Sequence, residues 1–126
     1  MGHILYDGTT VHFDSRTMAH LQIVIVQKFR NQESFLMSWK DDESVGNGRG
    51  SIWLAPTIPI YFKFLAGALP IINDEWLRIL GASAETSAGL VVTAENGELA
   101  RASDPHVAGY PGDLTRRDSE RPDTTA

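Results

Sequence analysis

The chain has 126 residues, with 11 lysines and arginines against 16 acids, a formal net charge of −5 and no cysteine. That length holds at most one domain, the 42% apolar fraction suffices for one core, and the missing thiols remove disulfides, thiol nucleophiles and cysteine-ligated metals. The acidic balance argues against a protein that simply coats nucleic acid, which needs lysine and arginine to neutralise phosphate, but it leaves room for a local basic site.

The opening residues MGHILYDG carry no basic segment followed by an apolar run, so no signal peptide is expected. No stretch approaches the roughly 18 apolar residues of a membrane span. A cytoplasmic protein without membrane contact is the expectation.

In chain order, His3 to Tyr6 and Thr10 to Phe13 are short apolar runs separated by Asp7-Gly8. Asp-Gly between such runs signals a tight hairpin, because both central residues of the turn need positive φ. Alternation puts Ile4 and Tyr6 on one face and Leu5 on the other, and Val11 and Phe13 together with His12 opposite. Asp14 is placed to cap a helix. From Ser15 to about Gln32, Met18, Leu21, Ile25 and Phe29 recur at helical spacing, broadened by Val24. The β-branched run Leu21 to Val26 also suits a strand, but the cap and the longer period favour the helix. Ile23 and Val26 fall off the stripe, which predicts a helix covered on more than one side. His20 is expected on the side opposite the stripe.

Ser34 to Lys40 reads as a strand, with Phe35, Met37 and Trp39 on one face. Asp41, Asp42 and Glu43 stop it, and Gly46-Asn47-Gly48-Arg49-Gly50 is turn-prone. Ser51 to Leu54 resumes extended structure, with Trp53 opposite Ile52 and Leu54. Pro56 and Pro59 bracket a break before Ile60 to Phe64, where a proline at the strand's start is tolerable. Asn73 looks like a second cap, with Asp74 and Glu75 in a first turn that favours negative charge. Trp76, Leu77, Leu80 and Ala84 form that helix's apolar side, Gly89 is its expected stop, and Leu90 to Thr93 is the expected last strand. From Asn96 the chain turns to prolines, arginines and acids with few large apolar groups, the composition of a disordered tail.

These elements predict an α+β fold in the order ββαβββαβ: a mainly antiparallel sheet of five to six strands with two helices on one face, as residues 1–95, and a tail over residues 96–126. A parallel pair involving the last strand is compatible with that order.

The chemistry-bearing residues cluster between Lys40 and Trp53. Lys40-Asp41-Asp42-Glu43 partly matches the lysine, any residue, aspartate, glycine motif of DNA-ligase-type nucleotidyltransferases, in which the lysine is adenylated. Here Glu43 stands where glycine belongs, and a run of acids is the wrong surrounding for an amine that reacts only when unprotonated. The glycine-rich stretch around Arg49 offers backbone N–H groups and a guanidinium to an anion, but it matches neither a P-loop nor a dinucleotide fingerprint. Trp39, Lys40, Arg49 and Trp53, with Tyr61 and Lys63, interleave aromatic rings and cations as single-stranded nucleic-acid platforms do. The histidines His3, His12, His20 and His106 have no metal-ligand spacing, and no serine sits in a nucleophile elbow.

MGHILYDG, FDSRTMAHLQIVI, ESFLMSWKDD, GNGRGSIWL, PIYFKF and NDEWL, in that order over about residues 1 to 95, resemble a family of small actinobacterial proteins of about this length. Some of these carry the label ATP-dependent DNA ligase. The resemblance implies ligase-like nucleotidyl transfer through Lys40 as an alternative, with ATP and magnesium as its cofactors. The leading expectation is a non-catalytic binding module without cofactor or metal. It uses Trp39, Lys40, Arg49 and Trp53 to hold a protein partner, a second copy of itself through a sheet edge, or single-stranded nucleic acid.

Overall fold

Two layers build the molecule: a sheet of seven strands and a pair of helices on one of its faces. The computed structural model describes residues 2–42, 48–65, 67 and 70–107, and of residues 103–107 the backbone alone. The strands β1 (Gly2–Tyr6) and β2 (Thr9–Phe13) form the expected hairpin. Asp7 and Gly8, at φ 49° and 85°, supply the left-handed pair its turn requires. Helix α1 (Ser15–Arg30) begins at Asp14, whose carboxylate accepts from the Thr17 N–H and hydroxyl. It closes past Asn31 with Gln32 at φ 60°, Gln32 N–H donating to the Phe29 carbonyl and Glu33 N–H to that of Lys28.

Then follow β3 (Phe35–Asp41), β4 (Arg49–Leu54) and β5 (Ile60–Phe64). Helix α2 (Asp74–Ala84) is capped by the Asn73 side chain, which accepts from the N–H groups of Glu75 and Trp76. The chain ends its described course with β6 (Leu90–Val91) and β7 (Arg101–Val107).

Across the sheet the order is β4-β3-β7-β2-β1-β5, with β6 also beside β3. All pairs are antiparallel except β3–β6 and β3–β7, so the fold is α+β with its parallel pairing at the chain's last strands. β5 leaves β4 altogether and crosses to the far edge beside β1. Along β3, residues 90–102 run as one interrupted strand. Val92 N–H donates to Ser38 O, Lys40 N–H to Ala100 O and Asp42 N–H to Ala102 O, while residues 93–99 loop out across a Thr93–Leu99 bridge. Beyond Ala102 the chain moves on to pair with β2.

Between sheet and helices lies the core: Ile4, Tyr6, Val11 and Phe13 from the hairpin, Phe35, Met37, Trp39 and Leu54 from the β3–β4 ribbon, Met18, Leu21 and Ile25 from α1, and Trp76 and Leu80 from α2. The helices are also tied by polar groups. Lys28, nearly buried, donates through Nζ to Glu33 and Glu85. These carboxylates raise its pKa above the ordinary lysine value. The stabilisation is therefore present throughout the neutral range and is lost only as alkaline pH passes that raised value.

Several local expectations are corrected by packing. Leu90–Val91 is not the last strand; β7 follows it, drawn from the stretch whose composition reads as tail, and Ala100 and Ala102 from that stretch are buried. Gly89 does not stop α2, which ends at Ala84 with Glu85 as cap. Gly89 instead lies, at φ 81°, where a Cβ would be 2.3 Å from the Leu36 carbonyl oxygen, so only glycine fits the approach to β3. Ile23 and Val26 are 42% and 40% exposed, so no described element covers that side of α1. His20 is not opposite the stripe but fully buried. Its Nδ1 donates to the Arg16 carbonyl, Nε2 accepts the Asn73 N–H at 2.9 Å, and its ring stacks on Trp76 with centroids 4.2 Å apart.

Because Ala102 is fully buried, an Ala102→Asp substitution places a carboxylate without a partner inside the sheet–helix core. Calorimetry is expected to show a loss on the order of 3–5 kcal/mol. A chain whose residues past 95 form a detached tail would melt unchanged.

Candidate functional site

The helices and the core occupy one face of the sheet. The other face carries every second strand residue: His3 and Leu5 of β1, Thr10 and His12 of β2, Leu36, Ser38 and Lys40 of β3, Arg49, Ser51 and Trp53 of β4, Tyr61 and Lys63 of β5, and Arg101 of β7. Among the described residues no element covers this face, and Trp53 and Tyr61 stand 61% and 53% exposed.

Register then aligns charge across strands. His3 of β1 faces His12 of β2 on one side and Lys63 of β5 on the other. Lys40 of β3 faces Arg49 of β4 and Arg101 of β7. On β7 the next residue but one after Arg101 is Ser103, the partner of His12. The two rows, Lys63–His3–His12 and Arg101–Lys40–Arg49, therefore form a basic band that is stepped by two residues at β7, His12 standing at the level of Ser103 and Lys40 at that of Arg101. With strands about 4.8 Å apart, each row of three spans about 10 Å.

No described strand residue on this face is acidic. Carboxylates border the face at several points: Asp41 and Asp42 follow Lys40, Glu98 lines an open depression of about 340 Å³ with Lys40, Leu99 and Arg101, Glu33 and Glu85 line one with Leu36 and Trp53, and Asp7 lines one with Leu5 and Tyr61. Arg101 Nη1 donates to the Asp41 carbonyl oxygen, which fixes the guanidinium over the β3 end. At the other end of the band the His3 and His12 rings lie 5.1 Å apart. Burial, then the neighbouring His12 and Lys63, pushes the His3 pKa below the ordinary histidine value. The folded chain thus takes this proton less readily than the unfolded one, and stability falls as pH drops through histidine's range.

The structure divides the four residues singled out between Trp39 and Trp53. Lys40 and Arg49 are direct cross-strand partners, and Trp53 shares their face near the opposite end of the ribbon, beside Leu36. Trp39 does not belong with them. It is 3% exposed in the core, edge-on to Phe13 with centroids 6.2 Å apart, and its indole N–H meets no acceptor among the described residues. Gly50 sits opposite it because a Cβ there would be 2.7 Å from the indole ring. Of the loop itself, residues 43–47 lie outside the described residues, and Arg49 and Gly50 already belong to β4.

His3, His12 and Arg101 join the surface only through strand order, which also places Lys63 and Tyr61 beside β1 rather than β4. Among the described residues no group of three or more His, Asp or Glu side chains could hold a metal ion. No helix of the described residues is long and apolar enough to cross a membrane.

These features define a two-layer α+β domain, backed by helices and presenting an open, basic sheet face. The chain belongs to the family described as domain of unknown function DUF7882, which matches residues 1–95. That span ends before β7 and its Arg101. Neither the curated proteins nor the solved structures contain a match.

The two tryptophans of the ribbon should separate cleanly. Trp39→Ala empties a core position and is expected to cost about 3–5 kcal/mol of stability. Trp53→Ala, at an exposed site, is expected to change it by no more than about 0.5 kcal/mol. Chemical denaturation of the two variants measures both.

Proposed function

We propose that the chain is a non-catalytic binding module that takes single-stranded nucleic acid on the outer face of its sheet. The observation that carries this reading is the pair of in-register basic rows, held on one face of a chain whose net charge is −5. Lysine and arginine spaced along a line match the repeating charge of a phosphate backbone. Trp53 and Tyr61, exposed on either side of the band, offer ring faces to unpaired bases, which duplex bases cannot use because they are already stacked. A stable protein interface calls instead for an apolar centre with a polar rim, whereas here the centre is charged and the apolar groups lie at its margins. The free sheet edges available to a second copy are β4 and β5, away from the middle of the band.

Fluorescence anisotropy with a labelled oligonucleotide of about ten residues, within the range single small domains cover, tests the reading. Binding is expected at low salt. With four phosphates neutralised by Lys40, Arg49, Lys63 and Arg101, log K is expected to fall with log salt at a slope of about −2.8. Arg49→Ala should make that slope shallower by about 0.7, and Trp53→Ala should weaken binding by about 1–3 kcal/mol. Absence of binding at low salt, or binding indifferent to salt, refutes it. Incubation with labelled ATP and magnesium distinguishes the ligase-like alternative, which requires a covalent adenylate on Lys40. No label is expected.

A further inference from the structure

One end of the basic band differs from the other in its chemistry. Arg101, Lys40 and Arg49 carry permanent charge, whereas His3 and His12 gain theirs only on protonation. The two imidazoles come from adjacent strands in direct register, their rings 5.1 Å apart and tilted by 51°, with Lys63 the next residue in the same row. Cross-strand neighbours of like charge repel, and no described carboxylate lies in the row to offset them. Around the pair, β5 contributes Lys63 and Tyr61, and β7 contributes Arg101 beyond His12. The side chains of β7 from Ser103 onward, Asp104 and His106 among them, lie outside the described residues. A row of three nitrogen donors with no counter-charge among the described residues is completed by an anion with several acceptor oxygens, to which charge-assisted N–H bonds are about twice as strong as neutral ones.

We propose that Lys63, His3 and His12 form a phosphate-binding site on the outer face of β5, β1 and β2, which grips a phosphate group of the bound strand more tightly as pH falls from about 7.5 to about 5.5 through protonation of the two imidazoles. This rests on the nucleic-acid reading above and names the groups that set its pH dependence. In the unbound chain, burial, His12 and Lys63 together disfavour the charged form of His3. A phosphate in the row reverses the repulsion, so binding and proton uptake are linked, and each strengthens the other. The row thereby acts as a grip that is weak in neutral solution and strong in mildly acidic solution, beside an arginine–lysine half whose charge does not change.

The test measures the affinity of the full chain for an oligothymidylate at pH 7.5 and pH 5.5, at fixed ionic strength and in EDTA so that no divalent ion bridges imidazole and phosphate. Thymine carries no group that titrates in this interval. One arm uses a 5′-hydroxyl strand and one a 5′-phosphorylated strand. A terminal phosphate monoester itself takes up a proton in this interval, its second pKa being about 6, so each strand is read as the difference between wild type and a His3→Gln, His12→Gln double variant: a pH-dependent difference in both strands assigns the site to backbone diesters, and in the phosphorylated strand alone to a terminal phosphate.

For wild type an increase of about tenfold or more is expected, as linkage to two imidazoles allows. His3→Gln combined with His12→Gln is expected to bind the 5′-hydroxyl strand equally at the two pH values, within about twofold. Circular dichroism at both pH values checks that it is folded. On wild type itself, NMR titration of the imidazole protons should show the His3 midpoint rising when the oligonucleotide binds.

A wild-type affinity that does not change with pH, an unchanged His3 midpoint, or the same pH dependence in the double variant overturns the proposal while leaving the interface intact. Failure of wild type to bind at any pH or salt overturns the interface reading and this site with it.

Discussion

The structure depends on a passage of backbone. The β4–β3 ribbon and the β2–β1–β5 strands are two halves of the sheet joined, among the described strands, through β7, whose residues 101–102 pair with β3 and residues 103–107 with β2. The join is made by residues 90–102 running beside β3, with N–H groups of Val92, Lys40 and Asp42 satisfied in turn by carbonyls of Ser38, Ala100 and Ala102. A parallel pairing of this kind needs a crossover of a dozen or more residues. That connection runs through β4 and β5 and closes with helix α2, and the polar contacts that seat α2, His20 on the Asn73 N–H and Lys28 on Glu85, help place the chain where it re-enters the sheet. Buried groups of this sort cost stability when left unmade, so these contacts fix the crossover in one position.

Charge follows the same two-layer division. On the helical side Arg16 pairs with Glu95, Lys28 with Glu33 and Glu85, and Arg78 with Glu75. The exposed pairs of Arg16 and Arg78 contribute little to stability, unlike that of the nearly buried Lys28. The strands place Lys40, Arg49, Lys63 and Arg101 on the opposite face. A chain acidic in total can thus present a basic plane, and its net charge alone says nothing about a ligand that meets only that plane.

How much of this was legible in the sequence depended on the range of the interaction. Asp7-Gly8, Asp14 and Asn73 act on residues within three positions, and their roles could be read directly. The β3 alternation was legible too. It put Trp39 with Phe35 and Met37, and carrying that parity through would have removed Trp39 from the candidate surface while keeping Lys40. His20 lies on the flank of the α1 stripe, and only the arrival of α2 turns that flank into interior. β7 was invisible because RASDPHV contains Asp and Pro, residues depleted in strands. Its place in the sheet comes from two neighbouring edges, one of which bears a register shift between Thr10 and His12. The basic band was equally hidden. Its members are distant in sequence and meet only because β5 crosses to β1 and β7 enters between β2 and β3.

The family span and the band have different limits, and the difference is informative. Residues 1–95 contain both half-sheets, and each half fixes its own polarity: Phe35, Met37 and Leu54 turn Lys40 and Arg49 outward, while Ile4, Val11 and Phe13 turn His3 and His12 outward. A basic outer face on each half follows from those burial patterns alone, because a strand's two faces cannot be exchanged without a one-residue slip of the whole register. The alignment of the two faces into one band is a separate matter. It requires β7, which lies past residue 95 and adds Arg101 at the seam. A basic outer face on each half is thus built into residues 1–95, and how the two faces are placed against each other is set by the strand that follows them.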